Sequence, residues 1–395
     1  MLDFNTQKMN CTGCAACYSI CPVKCITMQK DEEGFLYPES NDECIHCGLC
    51  EKTCPIVNPV TNTLYDNQKC YAAITKDIDT WKKSSSGGAF SEICKTYGNQ
   101  DTLIVGAAWK GLEVGHICVR GVNNIAPLRK SKYVASPIGE TYIKVKKELI
   151  NGGKVIFSGT PCQVAGLKGF LKKDYENLLT IDLICHGVGS PEVFKQCIKL
   201  FEKEKNEIVL SYEFRYKRNK YETDHISCIE TDKSKKLYSL DRYNQLFLEQ
   251  LCLRPSCSDN CRFRDSRRQG DITLADFKGL AYIYPQLVAN CTNYSTVTFN
   301  TSKATIIKKE LEKKLKLFEC NINDIIRFNP LFAGHTWSND NRNIFFDEFH
   351  LDKTNTILKW TKDDKLFSCH PKIKIFNFSP KIIRKIAMLF LKKRL

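Results

Sequence analysis

Between residues 69 and 205, short apolar runs alternate with segments in which apolar residues recur at helical spacing. Apolar runs of this length, bounded by polar turns, predict buried strands. The segment 140–152 predicts an amphipathic helix, because Tyr142, Val145 and Leu149 share one face and glycine follows its last turn. Strands and helices in this alternation predict a larger mixed body of the α/β or α+β class.

The alternation weakens beyond residue 205, where the pattern predicts separate elements. Strands are predicted at 211–217, 227–232 and 271–279, and a helix at 241–253. Before the body, the polar segment 58–68 shows no hydrophobic periodicity and predicts a linker. A short N-terminal module therefore precedes the body.

Length and composition narrow the class of protein. The chain has 395 residues, enough for two or three domains. No apolar stretch predicts a membrane-spanning helix, and the first residues lack the basic start and apolar run of a signal peptide. We therefore expect a cytoplasmic protein. Cysteine is the outlier, with 22 residues, and in a reducing compartment that number favours metal binding or redox chemistry over disulfides.

Eight cysteines form two runs of equal spacing, CTGCAACYSICP and CIHCGLCEKTCP. Both read C-x2-C-x2-C-x3-C-P, as in bacterial two-cluster ferredoxins, where the fourth cysteine of each run ligates the other cluster. Zinc knuckles or a disulfide knot are the alternative, and they fit the full runs poorly. Cys25 is expected to be a packed thiol. The predicted ligands of the first 4Fe-4S cluster are Cys11, Cys14, Cys17 and Cys54, and those of the second are Cys44, Cys47, Cys50 and Cys21.

Further patches of the body hold candidate chemistry. Ser84 to Gly88 precede a predicted helix, where hydroxyls and amides suit a phosphate, although such runs are also ordinary loops. Cysteines also stand at two strand ends and in the arginine-rich segment 251–277. For each of them a packed thiol is the alternative, but their number matches one more 4Fe-4S cluster. These four are Cys162, Cys185, Cys257 and Cys261.

Six motifs, taken in this order, resemble the coenzyme F420 hydrogenase/dehydrogenase beta-subunit family, which is also seen in formate dehydrogenase beta chains. They are SSSGGAFSEI, SKYVASPIGETY, FSGTPCQVAGLK, DLICHGVGSP, LRPSCSDNCRF and DITLADFKG. The resemblance spans residues 70–280. Three departures stand out: C-x3-C at Cys257 in place of C-x2-C, ADFKG at 275–279 in place of GDFWG, and Gly189 in place of a proline.

The resemblance implies a flavin enzyme that binds FAD and an iron–sulfur cluster, with a deazaflavin as the partner substrate of some members. It places the central cluster at the four cysteines named above, with Cys252 as the substitute ligand to test. A flavin beside clusters converts electron pairs to single electrons. The implied flavin contacts are Ser85, Ser86, Gly87, Gly88, Lys132, Tyr133 and Ser136.

Four regions are expected on this basis. They are a two-cluster ferredoxin-type module at 1–60, a flavin-contacting region at 68–150, a region with the central cysteines at 151–345, and a basic tail at 346–395.

Three functions remain open. The leading one is a flavin- and iron–sulfur-dependent oxidoreductase that acts on a deazaflavin-like or other two-electron acceptor. The second is an electron-relay subunit that serves a separate catalytic partner chain. The third is a basic iron–sulfur protein that binds nucleic acid, which the net charge of +15 permits. No nucleic-acid-binding motif supports the third, so nucleic acid is not expected as a partner. No catalytic residue is assigned.

The C-terminal tail adds a membrane hypothesis. Residues 365–395 carry nine basic side chains and no acid. A helix there would place Ile382, Ile386 and Leu389 on one face beside lysines, as suits an anionic membrane surface. Peripheral contact with the inner membrane face is therefore expected, and a terminal helix packed on the body is the alternative.

Overall fold

A computed structural model gives the fold of this chain. It describes residues 9–59, 68–218, 226–257, 261–334 and 338–366. The amphipathic helix expected near the C-terminus lies outside the described residues.

The described residues form a larger mixed sheet and a smaller antiparallel sheet in the body, and a two-stranded hairpin in the N-terminal module. In chain order the strands are β1 (Ile26–Lys30), β2 (Leu36–Ser40), β3 (Lys69–Thr75), β4 (Leu103–Lys110), β5 (Glu113–Arg120), β6 (Val155–Ser158), β7 (Leu178–Leu183), β8 (Val209–Glu213), β9 (Ser227–Thr231), β10 (Lys235–Leu240), β11 (Ile272–Asp276), β12 (Ser295–Phe299), β13 (Leu315–Cys320) and β14 (Lys365–Leu366).

Helices cover the sheets and form part of the module. They are α1 (Ala16–Ile20), α2 (Leu49–Thr53), α3 (Ile78–Lys82), α4 (Ala89–Tyr97), α5 (Thr141–Ile150), α6 (Pro161–Leu171), α7 (Pro191–Lys205), α8 (Arg242–Leu248), α9 (Leu280–Ile283), α10 (Pro285–Val288), α11 (Ser302–Ile306), α12 (Lys308–Lys314), α13 (Ile322–Phe328), α14 (Arg342–Leu351) and α15 (Lys353–Trp360).

The larger sheet has eight strands in the order β13-β3-β12-β11-β7-β6-β4-β5. Its centre is parallel, with β4, β6, β7 and β11 side by side, and antiparallel strands flank this centre on both sides. The predicted mixed α/β class is confirmed in this form. Strands from both the 68–150 and the 151–345 regions share the sheet, and the expected region boundaries stay a prediction.

The smaller sheet is antiparallel, in the order β14-β10-β9-β8. Its aromatic face packs against α7 and α8, where Phe194, Tyr212 and Tyr243 belong to one buried cluster. The helix predicted over 241–253 is shorter in the structure, because Gln250 adopts a left-handed backbone with φ 60° that cannot continue a helix. Strand β8 likewise ends at Glu213, four residues before its predicted end.

The N-terminal module packs on α6 of the body. Two glycines on one side of α6 allow this close approach. A Cβ on Gly166 would lie 2.9 Å from the Cys14 Sγ, and one on Gly169 would lie 2.5 Å from the carbonyl oxygen of Thr53. Because i and i+3 positions share a helix face, both glycines face the module.

Candidate functional site

The two cysteine runs fold into equivalent backbone shapes. Gly13 and Ala15 in the first run have φ of 67° and 58°, and His46 and Gly48 at the matching positions of the second have 53° and 69°. Each run continues into a five-residue helix that ends at its fourth cysteine. The equal spacing in sequence thus corresponds to a duplicated turn-and-helix unit.

The first thiol site draws on both runs. Cys11, Cys14, Cys17 and Cys54 line one cavity together with Met28 and Pro38. Burial, together with the neighbouring Cys11 and Cys54 thiols, raises the pKa of the Cys14 thiol to about 12. Thiols crowded in this way resist ionisation unless a cation is bound among them, since a coordinating thiol is deprotonated by its metal. This donor set suits an iron–sulfur cluster.

The second site also combines three cysteines of one run with one cysteine of the other run. Cys21 from the first run and Cys44, Cys47 and Cys50 from the second line another cavity. The crossed grouping expected from the spacing is therefore present as a spatial arrangement. Cys25 lines this cavity too, with its Sγ 3.5 Å from that of Cys21. The sequence suggested only a packed thiol there, and this neighbour was not predicted.

The crossed ligation is testable with a double variant. Replacing Cys21 and Cys25 together by serine should abolish the spectrum of the second-run cluster and leave the first-run cluster intact, because the adjacent Cys25 thiol could replace Cys21 in a single variant. Electron paramagnetic resonance of the anaerobically reduced protein would measure this. Cys25→Ser alone is the control and should keep both signals. A loss confined to the Cys11 site would contradict the crossed arrangement.

The four central cysteines also converge, from three separate segments. Burial raises the pKa of the Cys162 thiol well above its usual value, and Cys185, Cys257 and Cys261 raise it further. Cys162 is in the first turn of α6, between the capping-box residues Thr160 and Gln163, and Cys185 follows β7. Cys257 ends the 3-10 turn Pro255–Cys257. The structure thus forms a third thiol site.

Cys252 does not join this group. It is fully buried in the core of the smaller sheet, and its thiol raises the pKa of neighbouring Cys197. Residues 258–260, which set the longer C-x3-C spacing, lie outside the described residues.

Helix α6 joins the first and third thiol sites. Cys14 packs against Gly166, and Cys162 lies four residues earlier on the same helix. Positions i and i+4 share one face and are separated by ~6 Å along the axis. The first and third sites are therefore neighbours, about one helical turn apart.

A cavity of about 420 Å³ opens beside the third site. Cys185, His186 and Gly187 form one wall. Six of the seven implied flavin contacts also line it: Ser85, Ser86, Gly88, Lys132, Tyr133 and Ser136. This volume is within the range of small-molecule and cofactor sites.

Two of the implied contacts have structural partners of their own. Gly87 lies behind the wall, where a Cβ would come within 2.1 Å of the Ala73 carbonyl oxygen. The Lys132 Nζ donates to the carbonyls of Ala107, Pro127 and Arg129, at 2.9, 2.9 and 2.6 Å. Burial lowers the pKa of this lysine to about 7. All three of its protons are thus used in holding the loop together.

Other cavity residues were not identified as candidates from the sequence. The Arg215 guanidinium is buried against Asp276, 2.7 Å away, and donates to Tyr133 and to the Ser85 carbonyl. His116 is neutral, because burial lowers its pKa to about 4, and its Nδ1 lies 2.8 Å from the Ser136 Oγ. Arg215 and His116 sit in ordinary strand patterns, so sequence spacing carried no signal for them.

His186 has a buried Nε2 without a hydrogen-bond partner. Its ring packs against Phe247, with centroids 5.1 Å apart, and it lines the cavity. Burial lowers the pKa of the ring, which favours the neutral form. An orphaned buried nitrogen in a cavity wall is the kind of group that a bound ligand satisfies.

A second pocket, of about 450 Å³, adjoins the large cavity at Lys130. Trp81 and Tyr216 supply aromatic walls, and the charged lining residues are all basic. Lys130 has a left-handed backbone with φ 66° and pairs with Glu213. The basic residues are Lys82, Lys130, Lys217 and Arg218.

Two kinds of feature are missing from the described part of the chain. No group of three or more His, Cys, Asp or Glu side chains in it could hold a single metal ion. The thiols surround cavities instead. No helix among the described residues is long and apolar enough to cross a membrane.

Family profiles match two parts of the chain. Residues 10–57 match the 4Fe-4S dicluster domain. Residues 152–324 match the profile that describes the C terminus of the beta subunit of coenzyme F420 hydrogenase/dehydrogenase.

Curated relatives match the chain as well. The F subunit of the F(420)H(2) dehydrogenase of Methanosarcina mazei is 24% identical over 208 residues, which cover 48% of this chain and 58% of that protein. The I 2 subunit of the NADH-quinone oxidoreductase of Geobacter metallireducens is 36% identical over 61 residues, covering 14% and 47%. An uncharacterised ferredoxin of Methanocaldococcus jannaschii is 38% identical over 54 residues, covering 14% and 70%. The chain thus spans about half the length of the first two relatives.

Among solved structures, a chain of the F420-reducing [NiFe] hydrogenase complex from Methanosarcina barkeri aligns with a TM-score of 0.42 and 15% identity. The alignment covers 73% of this chain and 89% of that one. A likeness of that size does not define a fold.

The dicluster module and the body that follows it define an iron–sulfur protein that is related to hydrogenase and dehydrogenase subunits. More particularly, residues 152–324 form a domain that matches the C terminus of the beta subunit of coenzyme F420 hydrogenase/dehydrogenase, a 4Fe-4S dicluster domain precedes it, and the chain is a homologue of the F subunit of F(420)H(2) dehydrogenase.

Proposed function

We propose that this chain is an iron–sulfur flavoprotein that transfers electrons between the two ferredoxin-type clusters and a flavin in the large cavity. The observation that carries this proposal is the serial order of the sites. The second site is at the surface, where Cys47 is exposed. The first site packs on α6, the third lies one turn away on the same helix, and Cys185 lines the cavity.

The residues present fit these groups. Each site offers four thiols from loops and helix ends, and thiolate is the ligand of iron–sulfur clusters. In the cavity, the unpartnered His186 Nε2 and the Ser85–Gly88 segment before α4 offer polar groups to a flavin and its pyrophosphate. The clusters would carry single electrons, and the flavin would exchange them in pairs with a two-electron acceptor.

The chain's own residues then shape the cavity. Asp276 holds the Arg215 guanidinium through two hydrogen bonds of 2.7 and 3.1 Å, so the positive charge stays fixed at the wall. Tyr133 stacks on Phe247 at a centroid distance of 5.0 Å and gives the cavity a flat aromatic side. Neutral His116 and His186 keep further charge out of this wall. Together these features suit a planar, partly anionic cofactor such as FAD.

The basic pocket adjoining the cavity supplies an approach for the acceptor. Its aromatic walls and excess of cations suit an acceptor with a planar ring and acidic groups, of which a deazaflavin is one example. Lys130 lines both spaces, so the acceptor would meet the flavin across this residue.

The alternative is a relay subunit that has the same cofactors but serves a catalytic partner chain. The names of the first two relatives support this relay alternative, because both name subunits of larger enzymes. Activity of the isolated chain with a soluble two-electron acceptor would support the first function, and activity that requires a co-purifying chain would support the second. We place the protein in the cytoplasm, because no disulfide links the described cysteines, and peripheral membrane contact through the tail is part of the proposal.

The flavin can be tested by filling the cavity. Ser158→Phe puts a large ring at a position in the cavity wall and should reduce bound flavin by about tenfold or more, a cost of ~1.4 kcal/mol. Flavin released by denaturation would be quantified by chromatography and fluorescence, beside the iron content. Ser211→Phe, on an exposed position of β8, is the matched control and should keep the flavin. Wild-type protein that holds iron but no flavin under anaerobic purification would contradict the proposal.

A further inference from the structure

Arg254 is a buried cation at the contact between the module and the body. Its side chain is 3% exposed. The Nε donates to the Cys11 carbonyl at 2.7 Å, and the Nη2 donates to the Leu36 carbonyl at 2.9 Å. The same Nη2 lies 3.8 Å from the Cys11 Sγ. The guanidinium also lies 4.1 Å from the centre of the Tyr37 ring. It therefore touches a predicted ligand of the first cluster directly.

The backbone of Arg254 belongs to the third site. Its N–H donates to the Val188 carbonyl at 3.0 Å, and its own carbonyl accepts from the Cys257 N–H at 2.8 Å. The side chain thus extends from one thiol site to the next. Gly13 leaves room for it, since a Cβ there would lie 2.8 Å from the Arg254 Nη1.

Arg254 differs in its charge partners from three other buried arginines. Arg215, Arg242 and Arg268 are each within 4 Å of a carboxylate. Arg254 forms no such ion pair among the described residues of this chain. Burying an unpaired cation is costly, so buried charges are normally matched by opposite charge. Thiolates that hold a cluster at the first site would supply that negative charge.

We propose that Arg254 is a positioning residue that raises the reduction potential of the cluster at Cys11. Reduction by one electron adds one unit of negative charge to the thiolate-ligated cluster. A cation and a hydrogen bond at a ligand sulfur stabilise the reduced form more than the oxidised form, which makes the potential more positive. Little solvent reaches Arg254 to screen this effect. The inference rests on the cluster assignment made above.

Among the described residues, no lysine or arginine donates to the Cys21, Cys44 or Cys47 thiol of the second site, as Arg254 does to Cys11 at the first. The cavity of the second site is lined by thiols, apolar side chains and His46, without lysine or arginine among the described lining residues. The two clusters would then differ in potential in spite of their matching motifs. Electrons entering at the exposed second site would move inward to the first with a favourable change in free energy.

Redox titration followed by electron paramagnetic resonance tests this in the full-length protein. Cys17→Ser and Cys47→Ser variants would assign the two signals. In wild type, the first cluster should have the more positive midpoint potential. Arg254→Gln should make the midpoint potential of the first cluster more negative and leave that of the second unchanged. Arg254→Lys should keep the potential of the first cluster close to the wild-type value. Arg262→Gln is the matched control, because this exposed arginine donates to the Ile56 carbonyl of the module.

Several results would overturn the inference. An Arg254→Gln protein that keeps its iron and the wild-type potential would do so, and so would an equal shift from Arg262→Gln. If the Arg254→Gln protein fails to assemble the first cluster, the midpoint potentials of the two module clusters in the wild-type protein decide the question. A first cluster whose potential is no more positive than that of the second would refute the inference. A wild-type protein without iron at Cys11 would overturn the proposed function as well, whereas an unchanged potential refutes only the role of Arg254.

Discussion

Replacing Cys162 and Cys185 together by serine should lower the iron content of anaerobically purified protein from about twelve atoms per chain to about eight. The reason is that the two thiols belong to one site with Cys257 and Cys261, separate from the module, and two missing ligands would leave a cubane unsupported. Iron and acid-labile sulfide analysis would measure the loss. Resonances of the two module clusters should persist.

A matched control uses two buried cysteines that lie in the core. Cys197, on α7, and Cys252 pack near each other in one buried cluster. Changing both to serine should leave about twelve irons, although it will reduce stability. Wild-type protein with about eight irons, or a Cys162/Cys185 variant that loses none, would refute the third cluster.

Gly169→Val on α6 should detach the module from the body. A Cβ at this position would lie 2.5 Å from the Thr53 carbonyl oxygen, which is backbone and cannot rotate away. Overpacking of this kind costs about 1–3 kcal/mol, and here the strain is released most easily by separating the two parts. We expect a lower melting temperature and slow or absent reduction of the flavin when electrons are supplied to the module. Stopped-flow absorbance would show the second effect.

Gly115→Ala is the control for this experiment. It lies on β5, and a Cβ there meets nothing within 4 Å. It should change neither the melting temperature nor the rate. A Gly169→Val protein that reduces its flavin at the wild-type rate would contradict a role for this contact in electron transfer.

Local patterns predicted the strands and helices that carry the sites. The apolar run at 69–75 is β3 with the same bounds, and the helix predicted over 140–152 is α5. These predictions succeed because strand and helix periods are local properties of the chain. Predictions in the weaker region beyond 205 erred at the ends of elements, as at Gln250, since a left-handed residue without glycine leaves no signal in sequence.

Only part of the candidate site could be predicted from local sequence patterns. The crossed grouping of the eight module cysteines was predictable from spacing, because three cysteines of each run line one cavity and the fourth lines the cavity of the other run. Lys132 lines the cavity as the sequence predicts, and it also donates to three backbone carbonyls, which the sequence does not indicate. Which donors of a side chain stay available depends on loops that meet only in the folded protein.

By itself, the sequence determined the module, its two sets of thiols and the mixed α/β class, because each depends on spacing within a few turns of chain. Only the tertiary structure decided what lies between the sites. Arg254 is 243 residues from Cys11, and Cys162 reaches the first site through one turn of α6. Such contacts arise from the packing of the module on the body, and no local period encodes them. The charge at the first cluster and the order of the three sites are therefore properties of the fold.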